Sequence, residues 1–134
     1  MSAITPDIRV ELIGPQVRAQ AYPVIGSGRG VFSFVHVEDA AVATVDALEA
    51  EPGVYNIVDD NPSEMGVWLP AFAQFLGAPP PPHITEEEAL QTEGADAVYY
   101  ATGLRGASNA YAKRELAFAP RKLEWLSTSK AAAK

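Results

Sequence analysis

The chain has 134 residues, is 48% hydrophobic, contains no cysteine and carries a formal net charge of −7 at pH 7. A chain of this size and apolar content suits one globular domain that buries roughly two thirds of its unfolded surface. The lack of cysteine excludes disulfides, thiolate metal sites and a cysteine nucleophile, and the acidic balance argues against general nucleic-acid binding.

The opening residues 8–12, Ile-Arg-Val-Glu-Leu, alternate apolar and charged as an edge strand would. Tyr22-Pro23-Val24-Ile25 reads as a second short extended piece, since proline confines it to an edge or a strand start. Gly26, Gly28 and Gly30 follow as a loop around Ser27 and Arg29. Phe32 to Val37 is the strongest strand, nearly continuous in apolar and β-branched residues, as expected where both sheet faces are covered. Asp39 is placed to cap the next helix, about Asp39 to Ala50, with Ala41, Val45 and Leu48 on one face and Asp46 and Glu49 away from it. Pro52-Gly53 stops that helix, and Val54 to Val58 returns as a parallel strand through a right-handed crossover.

Asp59 to Ser63 reads as a turn. A helix then runs from near Gly66 to Leu76, apolar through Trp68, Leu69, Phe72 and Phe75, with Pro70 near its first turn. Pro79 to Pro82 is a stiff spacer. Thr85 with Glu88 forms a capping box for helical sequence that reaches Thr102 with a break at Gly94. Ser108 or Asn109 caps a last helix in which Ala112 and Leu116 share a face, and residues 123–134 read as a frayed tail. Basic residues concentrate after Arg105, where only Glu115 and Glu124 oppose them. A basic tail lying against an acidic body explains this better than an anion-binding tail. The result is an α/β fold: a small, partial Rossmann-like parallel sheet with its βαβ unit at 32–58, flanking helices and extra N-terminal edge strands.

Three stretches resemble a known family. FVHVEDAA at 34–41, GVYNIV at 53–58 and SNAYAKREL at 108–116, followed by Ala119-Pro120, are similar in order and spacing to motifs in the C-terminal, substrate-side third of extended short-chain dehydrogenase/reductases, the NAD-dependent epimerase/dehydratase family. The resemblance implies a Rossmann-type sheet and an oxidoreductase ancestry over about residues 20–122. It also exposes what is missing. The family's cofactor site needs a G-x-x-G-x-x-G turn joining a strand to a helix, and a Y-x-x-x-K pair. None of Tyr22, Tyr55, Tyr99, Tyr100 and Tyr111 has a lysine four positions later. Gly26 to Gly30 precedes a strand and is no dinucleotide fingerprint. No cofactor is therefore expected on the isolated chain. Nucleotide-sugar epimerases often carry a phosphate-binding Arg where Phe32 stands here, so a smaller or more apolar ligand is implied.

Among chemistry-bearing residues, His36 is the candidate acid or base, set against a structural role in positioning the next helix. A Ser33-His36-Asp39 triad fails because alternate strand positions face opposite ways. His83 makes no zinc site with a single companion histidine. Asp59 and Asp60 lack a matching ligand series and read as a solvated turn, so no metal is expected. Arg29, Phe32, Phe34, Arg105, Ser108 and Asn109 are the expected ligand-binding residues, in a cleft near His36 and Arg105. The sheet edges need cover, which a second copy could supply through those edges or the aromatic helix 66–76.

The favoured expectation is a substrate-side relic that binds a small organic ligand without hydride transfer of its own. Non-redox isomerisation or cyclisation by His36, and an interaction subunit completing a split reductase, stand as alternatives. An inactive truncated product is a further one. The expected partners are thus a small molecule and either a second copy or a separate cofactor-binding subunit, with no nucleic acid and no membrane. Without a basic-then-apolar leader or an apolar run of about 18 residues, a cytoplasmic location is expected.

Overall fold

The computed structural model describes residues 13–126, and both the strand expected at 8–12 and the chain beyond 126 lie outside the described residues. Elements run in the order α1 (Gly14–Arg18), β1 (Val24–Ile25), β2 (Val31–Phe32), α2 (Val37–Ala47), β3 (Ser63–Glu64), α3 (Met65–Phe75), β4 (His83–Ile84), α4 (Glu86–Thr92), α5 (Ala95–Thr102) and α6 (Ala110–Leu116). The architecture is mixed α/β, with a small parallel sheet flanked by helices, as the sequence predicts.

The parallel pair is β1 with β4, in register Val24 to His83 and Ile25 to Ile84. Strand β2 pairs antiparallel with β3, Val31 opposite Glu64. Its other edge is bridged in parallel by Arg105 and receives the Val31 N–H on the Leu104 carbonyl at 2.6 Å. The predicted βαβ path is followed by the chain, but its two arms do not form a ladder. Residues 54–58 carry no strand, and the arms meet where the Asp59 N–H donates to the Phe34 carbonyl. The reason is local. Both edges of β2 are already filled, and His36 starts the helix earlier than predicted, which cuts the strand short of Val37.

Helix α2 begins at Val37 because the Nδ1 of His36, in an extended conformation, accepts the Glu38 N–H at 3.1 Å. Asp39 is therefore not the cap. It sits in the first turn, 9% exposed, where a carboxylate suits the helix dipole. The apolar face of this helix is turned outward: Val45 is 65% and Leu48 81% exposed, while Asp39 and Ala43 face inward.

Helix α3 supplies the core, as its pattern predicts. Trp68, Leu69 and Phe72 are buried, and Trp68 meets Phe34 edge-on at 5.6 Å between ring centroids. Trp125 meets Phe34 and Phe72 in the same way at 5.4 Å. Such edge-to-face contacts add to area burial worth about 1.5–3 kcal/mol per fully buried large apolar side chain. Trp68, Leu69 and Phe72 of the apolar face of α3 are thus consumed internally, while Phe75 at its end is 50% exposed. Leu123, Trp125 and Leu126 are all buried, so the tail expected to fray from 123 is packed at least to the last described residue. A smaller cluster joins Ala43 of α2 to Ala112, Leu116 and Phe118 around α6. Thr85 caps α4 by accepting the Glu88 N–H, and Gly94, at φ +94°, separates α4 from α5, both as the sequence indicates. No described helix is long and apolar enough to cross a membrane.

Candidate functional site: an aromatic cavity and a polar cleft

Successive residues of β2 point to opposite faces, and a different depression opens on each. On the Phe32 side, Tyr22, Pro23, Ile25, Phe32, Met65 and Tyr100 wall a cavity of about 170 Å³, with Gln16 and Glu93 among its polar lining. Phe32 is held in place by Trp68, 5.2 Å away centroid to centroid, and Trp68 in turn touches Tyr22. The wall is therefore backed by the rigid core rather than by loops. Three rings arranged around a small space favour a flat apolar guest with little polar decoration.

The other depression is an open cleft of about 400 Å³ lined by Asp59, Asp60, Pro62 and the stretch Arg105 to Asn109. It is held together by polar bonds. The Asn109 Nδ2 donates to the Val58 carbonyl at 2.9 Å and to Asp60 at 2.8 Å, and the Lys113 Nζ lies 2.7 Å from the same carboxylate. Lys113 first, then Asn109, holds the Asp60 carboxyl below its ordinary pKa. Asp59 is not a solvated turn residue: it is 2% exposed and its Oδ1 accepts the Asn61 N–H. Ser33 braces the opposite side by accepting the Ala107 N–H at 2.8 Å.

The sequence-predicted residues are divided among these places. Arg105, Ser108 and Asn109 come together in the polar cleft, although Asn109 is occupied in tying the 58–60 turn and Ser108 accepts the Ala110 N–H. Phe32 lines the aromatic cavity. Phe34 is 2% exposed between two tryptophans and presents no surface to a ligand. Arg29 is exposed in the glycine loop and lines neither depression. His36 lines neither depression as well, and its Nδ1 accepts the Glu38 N–H of the helix cap. Ser33, His36 and Asp39 each serve a different partner, in keeping with the rejected triad. Among the described residues no group of three His, Asp or Glu side chains is arranged to hold a metal ion.

Sequence reasoning missed Tyr22, Met65 and Tyr100. The signal for Tyr22 and Tyr100 was their aromatic character alone, which ordinary packing also produces, and Met65 gave none. It missed a second feature too: Tyr55 stacks on Tyr111 at 5.0 Å, with burial and then Tyr111 itself pushing the Tyr55 phenol up.

No protein-family profile matches the chain. The chain is 38% identical over 111 residues to a 3-diazoavenalumate denitrifying reductase from a Streptomyces species, a match covering 82% of this chain and 36% of that protein. It is of oxidoreductase-related origin. A solved structure of a conserved Silicibacter pomeroyi protein of unknown function superposes with a TM-score of 0.61 at 28% identity, over 81% of this chain and 39% of the other. UDP-glucuronic acid 4-epimerase from Bacillus cereus, solved in complex with NAD, superposes with a TM-score of 0.55 at 17% identity, over 87% of this chain and 34% of the epimerase. The fold is thus similar to part of the Rossmann-type fold of that epimerase. The chain spans about a third of the length of the curated relative it matches.

A dinucleotide does not fit the one glycine-rich turn present. Gly28 and Gly30 lie between two strands, and their bare Cα atoms are needed by the chain itself. A Cβ on Gly30 would collide with the Tyr100 and Ala101 backbone, and one on Gly28 would crowd Val24 and Gly66. The close approach that such a turn normally offers to a pyrophosphate is here given to neighbouring protein segments.

Proposed function

We propose that this chain is the substrate-side part of a reductase-type protein, binding the ring of a small aromatic compound in the Phe32 cavity and transferring no hydride by itself. The observation that carries the reading is the cavity walled by Tyr22, Phe32 and Tyr100 and seated on the core. Its volume of about 170 Å³ suits one ring: a dry protein cavity of about 150 Å³ takes up benzene. The lining is apolar with a few polar groups at the edge, as small-molecule sites usually are. The similarity to a reductase named for 3-diazoavenalumate supports a small organic ligand and an oxidoreductase setting. The lack of a Tyr-x-x-x-Lys pair and the internal use of Gly28 and Gly30 support the lack of hydride transfer by the chain alone.

Saturation-transfer NMR and calorimetry with phenol, 4-hydroxybenzoate and cyclohexanol test this. Phenol and 4-hydroxybenzoate should bind at millimolar or lower concentration, more tightly than cyclohexanol, and Tyr100→Ala should weaken both. Lack of aromatic binding at saturating concentration would reject the ligand assignment, and NADH binding tightly to the isolated chain would reject the rest.

A further inference from the structure

The aromatic cavity has a floor and a mouth. Ile25, Met65 and Ala101 are buried and close its inner end, while Gln16, Glu93 and Tyr100 are exposed and stand where it opens. With a volume of about 170 Å³ the cavity is filled by one ring. A substituent on that ring is therefore carried to the mouth, and the groups there decide what the polar end of a ligand can be.

The mouth is negative. Glu93 is the one charged side chain lining the cavity, and among the described residues no Lys, Arg or His joins it. Arg18 lies two positions past Gln16 on α1, about 200° round the helix, and so faces away from the lining. Helix dipoles do not change the sign. Glu93 ends α4 and Gly94 begins α5, so the negative end of one helix abuts the positive end of the next and the two largely cancel. Asp96, in the first turn of α5 and one turn before Tyr100, adds a second carboxylate on that side. The rings act in the same direction. Tyr22, Phe32 and Tyr100 carry negative charge over their faces, which attracts a cation and offers nothing to an anion. Aromatic rings around a small space suit an organic ammonium ion, and a carboxylate beside them strengthens that choice.

We infer that the cavity selects an aromatic compound bearing a positive charge, an arylalkyl ammonium whose ring lies against Phe32 and whose nitrogen stands at the mouth between Glu93 and the Tyr100 ring. Aromatic carboxylates are disfavoured by the same groups. The inference rests on the aromatic-ligand reading above and adds the sign of the ligand's charge. Glu93 is exposed, so water screens its pull, and together with the ring contact it favours the cation over a neutral isostere by about threefold to thirtyfold.

Calorimetry and saturation-transfer NMR on the full chain near neutral pH compare benzylamine, which is protonated there, with benzyl alcohol, its neutral isostere, and with benzoate. Benzylamine should bind about tenfold more tightly than benzyl alcohol, and benzoate more weakly than either. Raising the salt from about 0.01 M to about 1 M shortens the Debye length from about 30 Å to about 3 Å and should narrow the gap. Glu93→Gln should bring amine and alcohol within about threefold of each other, which is what the ring contact alone supplies. Glu93→Lys should place benzoate ahead of benzylamine. Both variants should melt as the wild type does, because the side chain is exposed. Benzoate binding the wild-type chain as tightly as benzylamine would overturn the inference, and so would an amine preference that neither Glu93 substitution alters. Benzyl alcohol bound without any preference for the amine would strike out the charge assignment and leave the aromatic cavity standing. Binding of none of the three would end both.

Discussion

Arg121 is bound to Asp39 twice over: its backbone N–H reaches Oδ2 at 2.8 Å and its Nε reaches Oδ1 at 3.0 Å. The pair joins the first turn of α2 to the segment carrying Leu123, Trp125 and Leu126 into the core. The guanidinium itself is about half exposed, so its share is small. The desolvated carboxylate receiving a backbone N–H contributes the larger part. Asp39→Ala should therefore lower stability by about 1.5–3 kcal/mol, read from urea midpoints. Arg121→Ala, which keeps the backbone bond, should cost clearly less. Equal losses would show that the side-chain ion pair dominates.

Lys113 and Asp60 give the chain an acid-sensitive clasp across the polar cleft. The Asp60 carboxyl titrates below its ordinary value of 3.8, chiefly through Lys113 and then Asn109. A folded-state pKa lower than the unfolded one stabilises the protein above the unfolded value, and that contribution is lost as pH falls through the folded value. Carboxyl NMR titration should place the Asp60 midpoint below 3.8, and Lys113→Met should move it upward. The same substitution should flatten the decline of stability in the range below about pH 4. An unmoved midpoint in that variant would place the cause elsewhere.

How much of this was legible in the sequence depended on whether the deciding contact was local. Thr85 with Glu88, Gly94 and the apolar run through Trp68 and Phe72 fix their elements through neighbours a few residues away, and the structure follows them. Helix α2 was legible in place and periodicity but not in which side packs. Its apolar periodicity identifies Val45 and Leu48 as one side, while nothing in that periodicity states which side the rest of the chain covers. Strand length failed for a related reason: the content of 32–37 and 54–58 is strand-like, but a ladder also needs free edges, and β2 has both of its edges filled by residues far along the chain. The candidate site was half legible. Arg105, Ser108 and Asn109 are consecutive enough to be read as a cluster, whereas Tyr22, Phe32 and Tyr100 meet only after the chain has turned several times.

His36 works here as a helix cap, which separates two readings that predict different losses. A cap that accepts the Glu38 N–H can be replaced by another short acceptor. His36→Ala should cost about 1 kcal/mol, His36→Asn should recover most of it, and neither should alter phenol affinity. These values follow from thermal melts and calorimetry on the same preparations. Loss of phenol binding in His36→Asn, with the melt retained, would return the histidine to a ligand-contacting role.

Phe32 and Phe34 stand two residues apart with their rings 6.4 Å apart and nearly parallel, yet their substitutions should separate stability from binding. Phe34 is enclosed by Trp68 and Trp125, so Phe34→Ala leaves a cavity in the aromatic core and should cost about 3–5 kcal/mol. Much of the marginal stability of a domain this size would go with it. Phe32 is half-buried and forms one wall of the cavity, so Phe32→Leu should keep the fold while widening and flattening that wall. Phenol affinity should then fall several-fold with a melting temperature near that of the wild type. If Phe34→Leu lowered affinity in a folded protein as strongly as Phe32→Leu, the two rings would be acting as one wall, and the cavity would extend into what is here solid core.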